Sequence, residues 1–418
     1  MTKRLILAFV FLSWHLVACS NGDSGISSGL PDKPSAEEDS PGTETISEEM
    51  RVKITGEDLY ISAKLDAKTD ILYWFKKCMF NELFTFYRVG TIDNNMPTPA
   101  TLPDASPTSL LNLAYSDNIG PFNITGYGWC GGNHPYLDEV TQTARNIGYR
   151  IYIDGKEIKT DLSTLTKEIK IEVINEIMNP SKADTSSGKT LLNEILCIET
   201  VNYSIYRNNI QVLVTHEFQN ESPVTVQMYY GMQSMFDKET HTLTANGKYV
   251  DWTVQKDVST FTKKEYPSFR RFIEKSANAY QSSYLFADGL GNHEEISDDD
   301  IIFIGNSSNK TYHKIIADRE HKKGDIIHWS GVYTWFKSPV SDDDDLLCYE
   351  GVIDNKKVLF IDCKKSVDRT IQLPVNYTKK SFTIIEKSKS ITITGNKVTA
   401  KGLRIVSDGS GSCVITFD

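Results

Sequence analysis

The sequence predicts an all-β protein built as a large antiparallel β-sandwich, and three observations lead there. From Arg51 onward, short segments of alternating or β-branched residues follow one another. Gly, Asn, Asp and Pro separate them, and Asp154-Gly155 and Asn246-Gly247 read as tight turns. Few stretches hold a helical period, and residues 268–276 are the best short helix candidate.

Before those strands the chain reads differently. Lys3 and Arg4 open it, and residues 5–17 form an apolar run broken by Ser13 and His15, too short for a comfortable bilayer span. The run ends in Leu16-Val17-Ala18-Cys19, which resembles a bacterial lipoprotein signal. That resemblance makes residues 1–19 a lipoprotein signal segment and implies lipidation of Cys19, removal of the residues before it so that Cys19 becomes the mature N-terminus, and anchoring to a membrane of the cell envelope, expected to be the outer membrane. A secretory peptide with a chance cysteine at the cleavage point is the alternative. Residues 20–49, rich in Ser, Gly, Pro, Asp and Glu, cannot bury enough apolar surface to order and read as a disordered tether. The β-sandwich domain is then 50–418, with room for a smaller C-terminal β-subdomain from about residue 340.

Composition narrows the function classes. A net charge of -10 without a Lys/Arg stripe argues against nucleic acid. There is no P-loop, dinucleotide glycine pattern or nucleophile elbow, and the cysteine spacing fits no zinc pattern, so no cofactor or metal is expected. Asp298-Asp299-Asp300 and Asp342-Asp343-Asp344-Asp345 lack the glycine and glutamate spacing of a calcium loop and read as solvated acidic turns. A hairpin centred between Asn355 and Lys356 would set Cys348 opposite Cys363. Either a disulfide or two facing buried thiols would follow.

The expected strands run over residues 51–65, 84–89, 149–154, 166–177, 195–206, 210–218, 224–230 and 325–336, then the cysteine hairpin and several short strands to the end. In the 210–218 strand Ile210, Val212, Val214, His216 and Phe218 share one face, and Gln211, Leu213, Thr215 and Glu217 the other. The next strand puts Val224, Val226, Met228 and Tyr230 on one side, with Thr225, Gln227 and Tyr229 opposite. A one-sided wet sheet explains this pattern, and so does a sugar-binding groove. If Glu217 faces a groove, His216 is a core histidine.

The succession Val201-Asn202-Tyr203-Ser204-Ile205-Tyr206, the 210–218 strand, Asn220-Glu221-Ser222-Pro223-Val224-Thr225-Val226 and Tyr229-Tyr230-Gly231-Met232 resembles the central strands of the galactose mutarotase-like supersandwich. Trp129-Cys130-Gly131-Gly132-Asn133-His134 is similar to that family's Asn-His-x-x-Gly-Gly region with the order reversed, and Tyr229-Tyr230-Gly231 stands where the family has His-x-Tyr-Phe. The resemblance implies a carbohydrate partner, poly- or oligosaccharide, more strongly than it implies a reaction.

Residues 116–136 are the densest mixture of Gly, aromatic and polar residues. Tyr127, Trp129 and Tyr136 offer ring faces, and Asn133, His134 and Asp117 hydrogen bonds and proton transfer. Arg145 and Arg150 suit a carboxylate. For a polyuronate lyase, Asn133 or Arg145 neutralises the uronate, His134 is the base, and Tyr127 or Tyr136 the acid. For a hydrolase, Glu217 and Asp117 are the pair to face each other at about 5 to 10 Å. Gln227 and Tyr229 join as substrate-binding candidates. The expectation is a polysaccharide lyase, glycoside hydrolase or isomerase. The alternatives are a non-catalytic surface glycan-binding protein and, for the glycine-rich segment, a purely structural loop.

Overall fold

The computed structural model describes residues 46–101, 109–111, 119–235, 241–243, 249–251, 259–261, 270–275, 279–287, 289–296, 302–305 and 310–417. Cys19, the signal, most of the tether, Asp117, Asn246-Gly247 and Asp298–Asp300 lie outside the described residues.

Antiparallel strands dominate, as expected. A ten-stranded sheet, the long sheet, is the organising element. Its central strands, in spatial order, are Arg271–Lys275, Tyr280–Leu285, Ile326–Phe336, Asn209–Phe218, Ile195–Tyr206, Ile169–Met178 and Ala144–Ile153. An N-terminal six-stranded sheet (including Met50–Thr55, Asp58–Lys64, Thr69–Cys78 and Leu83–Asp93) and a covering six-stranded sheet (including Lys310–His321, Val224–Met235, Phe122–Ile124 and Gly128–Cys130) meet its inward face. The shared core holds Phe75 and Phe86 of the first, Phe122 and Tyr229 of the second, and Val201, Tyr203, Val214, Trp329 and Tyr333 of the long sheet. The result is a β-sandwich.

Residues 341–417 form a second, smaller sandwich. A five-stranded sheet (Leu346–Ile353, Lys356–Cys363, Gly411–Phe417 among its strands) packs on a three-stranded one through Cys348, Ile361, Tyr377 and Ile405. Its other face meets the outward face of one end of the long sheet, where Tyr280, Tyr284 and Phe336 pack on Tyr349 and Phe360.

Several expectations are corrected. Residues 51–65 make two strands, because Gly56 takes φ +60° and the chain reverses with Thr55 opposite Asp58. The helix expected at 268–276 is the strand Arg271–Lys275, paired with Tyr280–Leu285; sheet pairing overrides the weak local period. The cysteine hairpin turns on Asp354 and Asn355, both in the left-handed region (φ +50° and +58°), so Leu346 faces Cys363 and Cys348 faces Ile361. No Cys348–Cys363 bridge forms. All six cysteines of the described region are buried free thiols, and burial pushes Cys363 up to about 12 and Cys197 and Cys348 well above the usual thiol range.

The inward face of the long sheet carries two buried carboxylates. Glu199 accepts from Asn175 Nδ2 at 2.9 Å and lies 3.0 Å from His216 Nε2; Asn146 extends the chain by donating to Asn175 Oδ1. His216 is thus the core histidine that strand alternation requires. Glu274 accepts only from Thr311 Oγ1 at 2.8 Å, its other oxygen has no partner, and burial pushes its carboxyl up to about 8.

Candidate functional site

Two surfaces receive the residues singled out by sequence, and they lie on opposite faces of the sandwich. Trp129 is cross-strand partner of Asn123 on the side of the covering sheet turned away from the core, while its neighbour Cys130 pairs with Phe122 inside it. Arg145, Arg150 and Glu217 project from the outward face of the long sheet, their neighbours Ala144, Ile151, His216 and Phe218 being buried inward. His134 and Glu217 therefore do not share a cleft.

The first surface is a rigid loop. Asn81, 2 % exposed, holds it: Nδ2 donates to Gly132 O (2.8 Å) and His134 O (3.2 Å), and Oδ1 accepts from Thr143 N at 3.0 Å. Thr143 Oγ1 also donates to His134 O and accepts from Gly131 N. Asn133 spends its side-chain oxygen on Phe80 N at 2.7 Å. The Trp129 ring is stacked with His134 (5.3 Å, 25°) and with Tyr230 (6.0 Å, 22°), so much of its flat face is used internally. Tyr136 closes a turn through its backbone bonds to Thr141 and Glu139. Tyr127 is exposed at the tip of the Phe122–Ile124/Gly128–Cys130 hairpin, and Gln227 is exposed on the next strand.

Tyr229 is a correction to the expected faces. Irregularities in the ladder at Val226/Met228 and Tyr229/Tyr230 shift the alternation, and Tyr229 turns into the core. There its hydroxyl donates to Ile119 O (2.7 Å) and accepts from Trp329 Nε1 (2.7 Å). The side chain is fully buried.

The second surface is the open face of the long sheet. Cross-strand register lays Arg145, Glu176, Ile198, Glu217 and Ile326 in one row over five strands. The adjoining rows are Gly148, Ile174, Thr200, Thr215 and His328, then Arg150, Glu172, Asn202, Leu213 and Ser330. Arg145 pairs with Glu176, and Arg150 with Glu172 at 3.5 Å. Gln211 Nε2 donates to Asp354 Oδ1 at 2.8 Å, tying the floor to the C-terminal sandwich at one end. Gly289 (φ +71°) lets the chain pass over His328, since a Cβ there would lie 2.1 Å from the imidazole.

Amides, hydroxyls, carboxylates and guanidinium groups alternate on this floor with half-buried Ile174 and Ile198 and exposed Leu213 and Ile326. Such a surface offers a hydroxyl-rich ligand both hydrogen bonds and apolar contact. Glu176 and Glu217 stand two strands apart, about 10 Å between backbones. Of the residues on this floor, the sequence reading singled out Glu217, Arg145 and Arg150 and passed over Glu176, Glu172, Thr200 and Asn202. Their outward alternation in the neighbouring strands is the signal that would have found them. The acidic turn at Asp342–Asp345 is tied up: Asp342 pairs with Lys275 and Lys364 at 3.0 Å each, and Asp343 with Arg369 at 2.7 Å.

No protein-family profile and no curated protein matches this chain. Solved structures do. The chain is similar to the GH36 α-galactosidase AgaB of Geobacillus stearothermophilus, with 8 % identity over 69 % of this chain and 41 % of that one, at a TM-score of 0.37. A GH36 α-galactosidase AgaA variant from the same organism, in complex with stachyose, gives 9 % identity over 70 % and 41 %, at 0.33. A polysaccharide lyase gives 7 % identity over 82 % and 45 %, at 0.26. The chain thus spans less than half the length of these solved structures, which are carbohydrate-active enzymes.

Proposed function

We propose that this protein is a cell-envelope lipoprotein, anchored through Cys19, that binds a poly- or oligosaccharide across the open face of the long sheet. The observation carrying this reading is the three-row floor of Arg, Glu, Asn, Thr and Ser side chains interleaved with Ile and Leu, whose side chains are half-buried or exposed, while one end of the same face is packed under the C-terminal sandwich. A glycan lying there meets donors and acceptors in every row. Retention of the purified protein on a polysaccharide panel tests it. Asn202→Lys combined with Thr215→Lys, two partly exposed floor changes, is expected to weaken retention at least tenfold, while unchanged retention would sink the reading.

Glycoside hydrolysis is the second reading, favoured by one feature: Glu176 and Glu217 flank Ile198 in a single cross-strand row. Inverting hydrolases hold their carboxyl groups about 6.5–9.5 Å apart, close to what two strand spacings give. Release of reducing ends, lost in Glu217→Gln with retention intact, would establish catalysis; retention without product leaves binding alone.

A further inference from the structure

A separate cavity of about 450 Å³ opens where the long sheet meets the C-terminal sandwich, away from the open floor. Arg270, Arg271 and Tyr284 line one side. Lys387, Lys389 and four serines, Ser388, Ser390, Ser410 and Ser412, line the other. Its volume is that of a small-molecule site.

The arginines are unusual for what they leave unused. Arg271 is 3 % exposed; its Nη2 donates to Ile361 O at 3.0 Å and to Asp362 Oδ1 at 2.5 Å, yet Nε and Nη1 have no partner. Arg270 Nη2 binds Glu386, while its buried Nη1 also has none. Buried N–H groups of a guanidinium are almost always satisfied, and here three are not. Of their carboxylate partners, Glu386 also accepts from Tyr284 Oη, whereas Asp362 Oδ2 has no hydrogen-bond partner.

Charge defines what fits. Asp362 and Glu386 offset the two arginines. Lys387 and Lys389 remain against the rim residue Glu294, an excess of one positive charge. Seryl hydroxyls add neutral donors. The geometry points to a binding site for a small organic monoanion, a carboxylate or sulfate ester held by the Arg270, Lys387 and Lys389 side chains and the seryl hydroxyls that line the cavity, with its neutral body filling the space.

Calorimetric titration of the full chain at fixed ionic strength tests this with three probes: glucuronate for the carboxylate, methyl sulfate for the ester, and glucose as the neutral control. The expected result is saturable millimolar binding of at least one anion and none of glucose. Arg270→Gln should weaken that binding tenfold or more. Lys389→Glu, a change at an exposed position that leaves folding untouched, should weaken it at least fivefold. Equal heats for glucose and both anions, or anion binding unchanged in Lys389→Glu, would overturn the proposal.

Discussion

Glu199 and Glu274 are the same residue on the same side of the same sheet, and each is 2 % exposed. Their surroundings differ in one respect. Glu199 has an amide donor and an imidazole within hydrogen-bond reach, whereas Glu274 has one hydroxyl and a bare oxygen. Burial with few donors to offset it is what pushes the Glu274 carboxyl up. Glu274 keeps its proton through neutrality because nothing nearby compensates the charge.

Four substitutions test that contrast. Glu199→Ala strips His216 of its carboxylate and leaves Asn175 without an acceptor, and should cost about 3–5 kcal/mol in urea unfolding; a loss below about 1 kcal/mol would show the network to be idle. Glu274 gives the opposite result. The folded state holds its proton up to about pH 8, whereas the unfolded chain releases it near 4.5. Its contribution is complete below pH 4.5 and is lost as pH rises toward 8, at up to about 1.4 kcal/mol per unit. Glu274→Gln should remove that slope and leave stability in mild acid unchanged; a slope that survives would mean another group titrates.

Asn81 is a third buried polar hub, with donors and acceptor all in use. Asn81→Ala should cost about 1–3 kcal/mol and release hydrogen-exchange protection over residues 131–143, leaving the long sheet protected. His321 gives the smallest effect, and of opposite sign in pH. Stacked on Phe218 at 4.3 Å, it is pushed by burial and by Arg319 down to about 4. Its contribution is complete above pH 6.5 and is lost as pH falls toward 4. His321→Phe should flatten the acid limb alone, and an unaltered limb in a melting series would refute the assignment.

Much of this was legible in the chain. Alternation over residues 210–218 gave the faces correctly, and the turn at Arg207-Asn208 that sets Tyr206 opposite Asn209 also sets Glu199 opposite His216. The pairing of a core glutamate with the core histidine was therefore available from register, though hidden by reading each strand alone. Ladder irregularities were not legible: the one beside Tyr229 moves a predicted ligand contact into the core, because an extra residue flips every face beyond it. Nor was the separation of His134 from Arg145. They are close in sequence, but the chain passes from one sheet of the sandwich to the other between them, and only the packing of sheets assigns them opposite surfaces.

The six buried thiols have a bearing on how the protein is made. Only a thiolate attacks a disulfide or an oxidant, and among the described residues every cysteine sulfur is enclosed. The nascent chain has no such protection. If it matures in an oxidising compartment, as an exported chain does, sheet assembly competes in time with random sulfur pairing, and a slow-folding variant would accumulate scrambled, crosslinked species through thiols that folding encloses.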